Sequence, residues 1–169
     1  SMVIMEDCRV PKGNLIGKKG DGFKIAMKGL DGGRINIASC SIGGAALGID
    51  QAMSHIKTRK QFGKVLSDFQ HIQFKIAELT TKLTASRLMT RSAARLIDEN
   101  SDDKTVYSAM CKYFTTETCF ELASEALQLH GGYGYLKDYH IERIFRDLRV
   151  NMILEGTNEI MRLIISRNI

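Results

Sequence analysis

The sequence predicts an all-α fold, an up-and-down four-helix bundle with a short N-terminal extended segment. Three observations predict it. A single proline, Pro11, leaves everything after it free of a proline break. Apolar residues recur at close to 3.6-residue spacing over three long runs, and a fourth run is interrupted at Glu155-Gly156-Thr157. The 169 residues, 44% hydrophobic and 25% charged, suit one globular domain that buries its core without disulfides or a structural metal. That composition excludes a disordered chain, and no run of about 18 apolar residues is present for a membrane span.

Taken in order, Val3-Ile4-Met5 reads as a short strand and Pro11-Lys12-Gly13-Asn14 as a loop. Phe23 opens the first helix, whose apolar set runs through Ile35, Ala38, Ile42, Ala45, Ile49, Met53 and Ile56. Glycines crowd it at Gly29, Gly32-Gly33, Gly43-Gly44 and Gly48, so a partner helix or a ligand must approach its backbone. Asp68 is placed to cap a second helix, with Ile72, Ile76, Leu79, Leu83 and Leu88 on one stripe and an end near Asn100. A third starts at Ser101-Asp102-Asp103, faces Val106, Met110, Tyr113, Phe120, Ala123 and Leu127 inward, and stops at His130-Gly131-Gly132. A shorter amphipathic stretch covers Tyr139 to about Met152, and a last helix covers Asn158 to about Ser166.

The formal charge of +5 suits anionic ligands without requiring nucleic acid. Cys8, Cys40, Cys111 and Cys119 form no C-x-x-C pair and have no His at ligand spacing, so they read as reduced thiols, mostly core filler, with no metal site. The N-terminus lacks a signal-peptide pattern, and Ser1-Met2 reads as an expression scar. Lys57 to Lys64 packs four cations into eight residues, enough for an anion seat, although a solvated helix C-terminus is the plainer reading. Gln128 to Tyr135 is a glycine-rich turn edged with aromatics. It lacks a dinucleotide fingerprint, and a helix stop does not explain Gly134 between two tyrosines. Arg87, Arg91 and Arg95 make an i, i+4, i+8 stripe without the interleaved aromatics of a base-stacking surface.

Ile153-Leu154-Glu155-Gly156-Thr157 is the leading candidate for chemistry. An apolar run before a carboxylate at a helix junction favours desolvation and a base working near neutral pH. As a single residue, Glu155 fits equally a surface carboxylate stabilised by a helix dipole, and that is the simpler reading. Leu30-Asp31-Gly32-Gly33-Arg34 sets an acid and a guanidinium around two glycines, and alone is more often a helix kink.

Together and in this order, these segments resemble the C-terminal helical domain of the acyl-CoA dehydrogenases, from Met5 to the C-terminus. The likeness rests on Leu30 to Arg34, Arg59 to Lys64, Gln128 to Gly134 and Leu154 to Ile160. It is greatest to the branched-chain members, those acting on isobutyryl-CoA in particular. The resemblance implies FAD-dependent α,β-dehydrogenation of an acyl-CoA, with Glu155 removing the α-proton and electron-transfer flavoprotein accepting the electrons. Branches that carry the base on the first long helix have it where this chain has Gly33, which leaves Glu155 in that role.

The resemblance also places Arg59, Gln61, Phe69, Gln70, Gln128, Leu129, His130, Gly131 and Gly132 on the FAD of a neighbouring subunit. Thr157, Asn158 and Glu159 would sit on the subunit's own FAD, and Asp31, Gly32, Gly33, Arg34, Gly156 and Arg167 would face the acyl-CoA. It implies a homo-oligomer, usually a tetramer, with no nucleic acid or membrane partner. The location would be the mitochondrial matrix in a eukaryote and the cytoplasm in a bacterium. Residues 1–16 are then expected to be a scar plus the last strand or linker of a middle β domain, and 17–169 the bundle, poorly able to hold FAD or turn over substrate alone. The rival expectation is a non-catalytic helical oligomerisation module.

Overall fold

A computed structural model describes residues 2–169; Ser1, half of the expected scar, lies outside them. Helices α1 (Gly22–Thr58), α2 (Gln70–Asp98) and α3 (Lys104–His130) form the body, and α4 (Ile141–Val150) with α5 (Asn158–Ser166) forms the split fourth layer. The all-α bundle expected from periodicity is what the chain adopts. Val3-Ile4-Met5 is a correction: it is exposed and pairs with nothing among the described residues, because a strand needs a ladder partner. Between Pro11 and Leu15 the chain makes a single 3-10 turn, Lys12–Asn14.

Chain direction follows from a few contacts. Thr105 at the start of α3 donates to Asp31 near the start of α1, while His130 at the end of α3 stacks on His55 at the end of α1. Helices α1 and α3 pack side by side, with Ala38, Ala45 and Ala52 of α1 and Ala109, Ala123 and Ala126 of α3 fully buried. Asp31 and Thr105 meet at one end, His55 and His130 at the other, so the residue numbers rise together along this pair and the two helices run parallel. Lys75 meets Glu125 and Lys82 meets Glu121, so α2 runs antiparallel to α3 and returns the chain between them. The α1 seam is small: Ala38, Ala45 and Ala52 are fully buried, letting the helices approach closely. Two of its glycines seat α4, since a Cβ on Gly44 would stand 2.9 Å from Leu148 Cδ2 and one on Gly48 3.0 Å from Ile141 Cδ1. Gly29, Gly32 and Gly43 face open space within this chain.

The inward face expected for α3 is wrong for most of its residues. Of the six, only Ala123 is buried; Val106, Met110, Tyr113, Phe120 and Leu127 are half-covered. The fully buried positions are Ser108, Ala109, Cys111, Lys112, Thr115, Thr116, Cys119, Leu122, Ala123 and Ala126. Because α3 touches α1, α2, α4 and α5, it is covered on several sides and has no simple apolar stripe. Its hydroxyls are satisfied locally, as with Ser108 Oγ donating to Lys104 O at 2.6 Å. Cys111 and Cys119 are core residues, and burial pushes the Cys119 thiol up to about 12. Cys8 and Cys40 are exposed, against the expectation of core filler.

Two local expectations also change. Asp68 does not cap α2; it ends a 3-10 turn (Leu66–Asp68), and Phe69 is the N-cap without a side-chain bond. The Lys57–Lys64 segment is more than a helix end. Strands β1 (Lys60–Gln61) and β2 (Lys64–Val65) pair as a hairpin across Phe62-Gly63, with φ of +51° and +82°.

Candidate active site and cofactor cleft

The junction of α4 and α5 puts Glu155 in place. Ile141, Ile144 and Leu148 bury one face of α4, and after Val150 the chain tightens, with Leu154 N donating to Val150 O at 3.1 Å. Glu155 (φ +55°) and Gly156 (φ +87°) then take consecutive left-handed conformations, unusual for a glutamate and strained by about 1–2 kcal/mol. Thr157 stops the turn as the N-cap of α5, its Oγ1 accepting from Ile160 N. The turn aims the half-buried Glu155 carboxylate across to α1, where it lies on the backbone of Gly33. A Cβ there would stand 3.0 Å from Glu155 Cδ and closer still to Oε2. The structure thus brings together two of the predicted positions from opposite ends of the chain.

Beneath this turn is a residue the motifs did not reveal. Lys112, with no accessible surface, donates from Nζ to Gly156 O and to Asn158 Oδ1, both at 2.8 Å. Asn158, 3% exposed, donates in turn to Thr116 Oγ1 at 3.1 Å. Its carboxamide therefore faces the core, leaving only its backbone for the ligand expected there. Desolvation lowers the Lys112 pKa to about 8, with Arg34 acting in the same direction and Glu159, Glu117 and Glu155 opposing.

A pH dependence follows. An unfolded lysine titrates near ~10.4. Below about pH 8 both states hold the proton and the cost of burying it is complete. Between there and ~10.4 only the unfolded chain retains it, so rising pH favours the folded state. Wild type should therefore gain Tm relative to Lys112→Met from pH 7.5 to 10, by thermal melts; a difference that does not change with pH refutes the assignment.

Of the residues expected at the substrate, Arg34 is only 6% exposed, donates to Asp31 Oδ1 at 2.7 Å, and leaves Nε without a partner among the described residues. Asp31 also accepts from Thr105 Oγ1. This pair is spent mainly within the chain, whereas Gly32 leaves the helix surface open and Gly33 leaves room for the Glu155 carboxylate. Glu159 is exposed in the first turn of α5 and bonded to Arg162; Arg167 is at the far end of that helix, at its C-cap.

A second cleft of about 620 Å³ lies at the other end of α1, lined by His55, Arg59, Gln61, His71 and the Gln128–Tyr133 turn. Arg59 lies over the Tyr133 ring at 5.2 Å. His130 and His55 stack with centroids 4.8 Å apart; burial, then His130 and Arg59, lower the His55 pKa and favour its neutral form. Gly131 ends α3 with φ +60° but ψ −141°, outside the left-handed helical well. Gly134 is explained by close approach, since a Cβ would lie 2.7 Å from Leu127 O. Phe69 and Gln70 begin α2 beside the hairpin, where Lys64 Nζ sits 4.2 Å from the Phe69 ring. Gly33 and Arg59 are 26 residues apart on one helix, about 39 Å at 1.5 Å per residue. One compact site cannot contain both.

A family profile described as "Acyl-CoA dehydrogenase, C-terminal domain" matches residues 20–169. The chain belongs to the acyl-CoA dehydrogenase family. It is 56% identical over 167 residues to the mitochondrial isobutyryl-CoA dehydrogenase of Dictyostelium discoideum and 53% identical to that of Bos taurus, covering 99% of this chain and 40% of each relative. Among solved structures, butyryl-CoA dehydrogenase from Megasphaera elsdenii superposes with a TM-score of 0.94 at 38% identity, over 98% of this chain and 43% of that one. This acyl-CoA dehydrogenase domain thus spans about 40% of the length of those relatives. Among its described residues no helix is long and apolar enough to cross a membrane.

Proposed function

We propose that this domain belongs to an FAD-dependent enzyme that removes hydrogen from the α and β carbons of a short branched acyl-CoA, isobutyryl-CoA-like, with Glu155 as the base. The observation that supports it most is the Glu155 carboxylate held over a glycine by a strained turn, half-shielded from water. A thioester α-proton is weakly acidic, so its removal needs a fixed carboxylate and donors for the developing charge on the thioester oxygen. Glu155 accepts the α-proton, and on this reading its own backbone N–H serves as one such donor. Gly33 and Gly156 keep side chains out of the approach. Bound FAD would supply the acceptor for the β-hydrogen and its electron pair, which balances formation of the C=C bond.

The second cleft supports a flavin dinucleotide by its donor set. Arg59 supplies a guanidinium for a diphosphate, Gln61 and Gln128 supply amides, and Gly131 and Gly132 expose backbone. The separation of about 39 Å along α1 supports a cleft that serves the flavin of a neighbouring subunit, hence a homo-oligomer, for which we favour a tetramer. On this reading the remaining length of the enzyme supplies the other walls of the site, electron-transfer flavoprotein takes up the electrons, and this domain alone turns over no substrate. The location is the mitochondrial matrix for a eukaryotic source and the cytoplasm for a bacterial one.

The test is turnover by the full-length protein. Purified with flavin, it should convert isobutyryl-CoA to the α,β-unsaturated thioester with an artificial electron acceptor, read by mass spectrometry. A flavin-loaded protein that leaves every short acyl-CoA unchanged refutes the reading.

A further inference from the structure

We propose that Lys112 is a positioning residue for the base: its buried Nζ, donating to Gly156 O and Asn158 Oδ1, locks the left-handed Glu155–Gly156 turn and keeps the carboxylate over Gly33. The inference rests on Glu155 being the base. The turn is not held by its own conformational preference, because Glu155 at φ +55° and Gly156 at φ +87° occupy a region a glutamate avoids. Something outside the turn must hold it, and the contact that does so from α3 is the Lys112 ammonium at 2.8 Å from Gly156 O.

Burying an ammonium completely is costly, so space-filling alone does not account for a lysine here; an apolar side chain would fill the same volume. What an apolar side chain cannot do is direct a peptide. Fixing Gly156 O sets the plane of the Gly156–Thr157 peptide, just where the turn enters α5. The anchor is itself braced. Asn158 Nδ2 reaches Thr116 Oγ1 at 3.1 Å and Glu117 Oε1 at 3.4 Å, and Glu117 accepts from Arg162 at 2.7 Å. Through this network α3 dictates where α5 starts, and so where the carboxylate points. The charges that act on Lys112 are Arg34 from α1, Glu117 from α3, Glu155 from the turn and Glu159 from α5.

The experiment uses the full-length, flavin-loaded protein, comparing wild type, Lys112→Met and Glu155→Gln. It reads washout of the acyl-CoA α-proton into D2O, KM and Tm. Lys112→Met should lower α-proton exchange and kcat together by about thirty-fold, the scale expected for a misplaced catalytic group, with KM within about threefold and most of the molecules folded. A loss of rate only in proportion to unfolded protein marks a structural role and overturns the proposal. If Lys112→Met does not fold, Asn158→Ala decides: it keeps the lysine and removes its second acceptor. A loss of about tenfold in exchange in folded protein supports positioning, and a wild-type rate overturns it. Glu155→Gln separates the two ideas. If that variant exchanges normally, the base assignment itself fails; if it is dead while Lys112→Met and Asn158→Ala exchange normally, only the positioning claim fails.

Discussion

Glu155→Gln in the full-length flavoprotein is expected to lower kcat by about 10³–10⁴-fold, toward the upper end of what a general base contributes. The substitution preserves length, shape and hydrogen bonding but cannot accept the α-proton. Two other carboxylates of this region, among the described residues, are engaged elsewhere. Asp31 is held by Arg34 and Thr105, and Glu159 lies on the exposed first turn of α5, engaged with Arg162. Because only proton removal is lost, KM and the flavin absorbance spectrum should stay close to wild type. Solvent deuterium should cease to enter the α-carbon. Retention of more than a tenth of wild-type kcat would remove Glu155 from the reaction.

What the sequence made legible was whatever depends on neighbours along the chain. The three long helices, the break at Glu155-Gly156-Thr157 and the bounds of α5 follow from local periodicity and capping, and the structure has them. What it concealed depends on neighbours across the bundle. The inward face that periodicity predicts for α3 fails because a helix covered on several sides has no apolar stripe; Ser108, Thr115 and Thr116 are buried as fully as Leu122. Asp68 has the right chemistry for a cap, but the 3-10 turn ahead of α2 places Phe69 there instead. Lys112 was invisible for the same reason. A lysine in a helix is ordinarily solvated, and the available signal was its i, i+4 spacing from Ser108 and to Thr116 on a small polar strip. The juxtaposition of Gly33 and Glu155 was implied by the family resemblance, yet it took the turn geometry to give it a physical form: a missing Cβ occupied by a carboxylate.

That missing Cβ yields an effect in which stability and activity separate. Gly33→Ala should lower kcat about 10²-fold while leaving Tm unchanged or higher. Alanine is the better helix former by about 0.5–1 kcal/mol, so the middle of α1 gains. The new methyl must, however, enter the space of the Glu155 carboxylate, 3.0 Å from Cδ. A carboxylate is the free end of a side chain and yields readily, so little stability is lost by moving it. The reaction is less tolerant, since a displacement of about 1 Å can cost ~10² in rate. Gly43→Ala is the matched control on the same helix: its Cβ meets nothing within 4 Å. It should show the gain in Tm with wild-type kcat. Steady-state kinetics and melts on the two variants decide the matter, and a Gly33→Ala enzyme within threefold of wild-type kcat would mean that the carboxylate does not work from the position it occupies over this glycine.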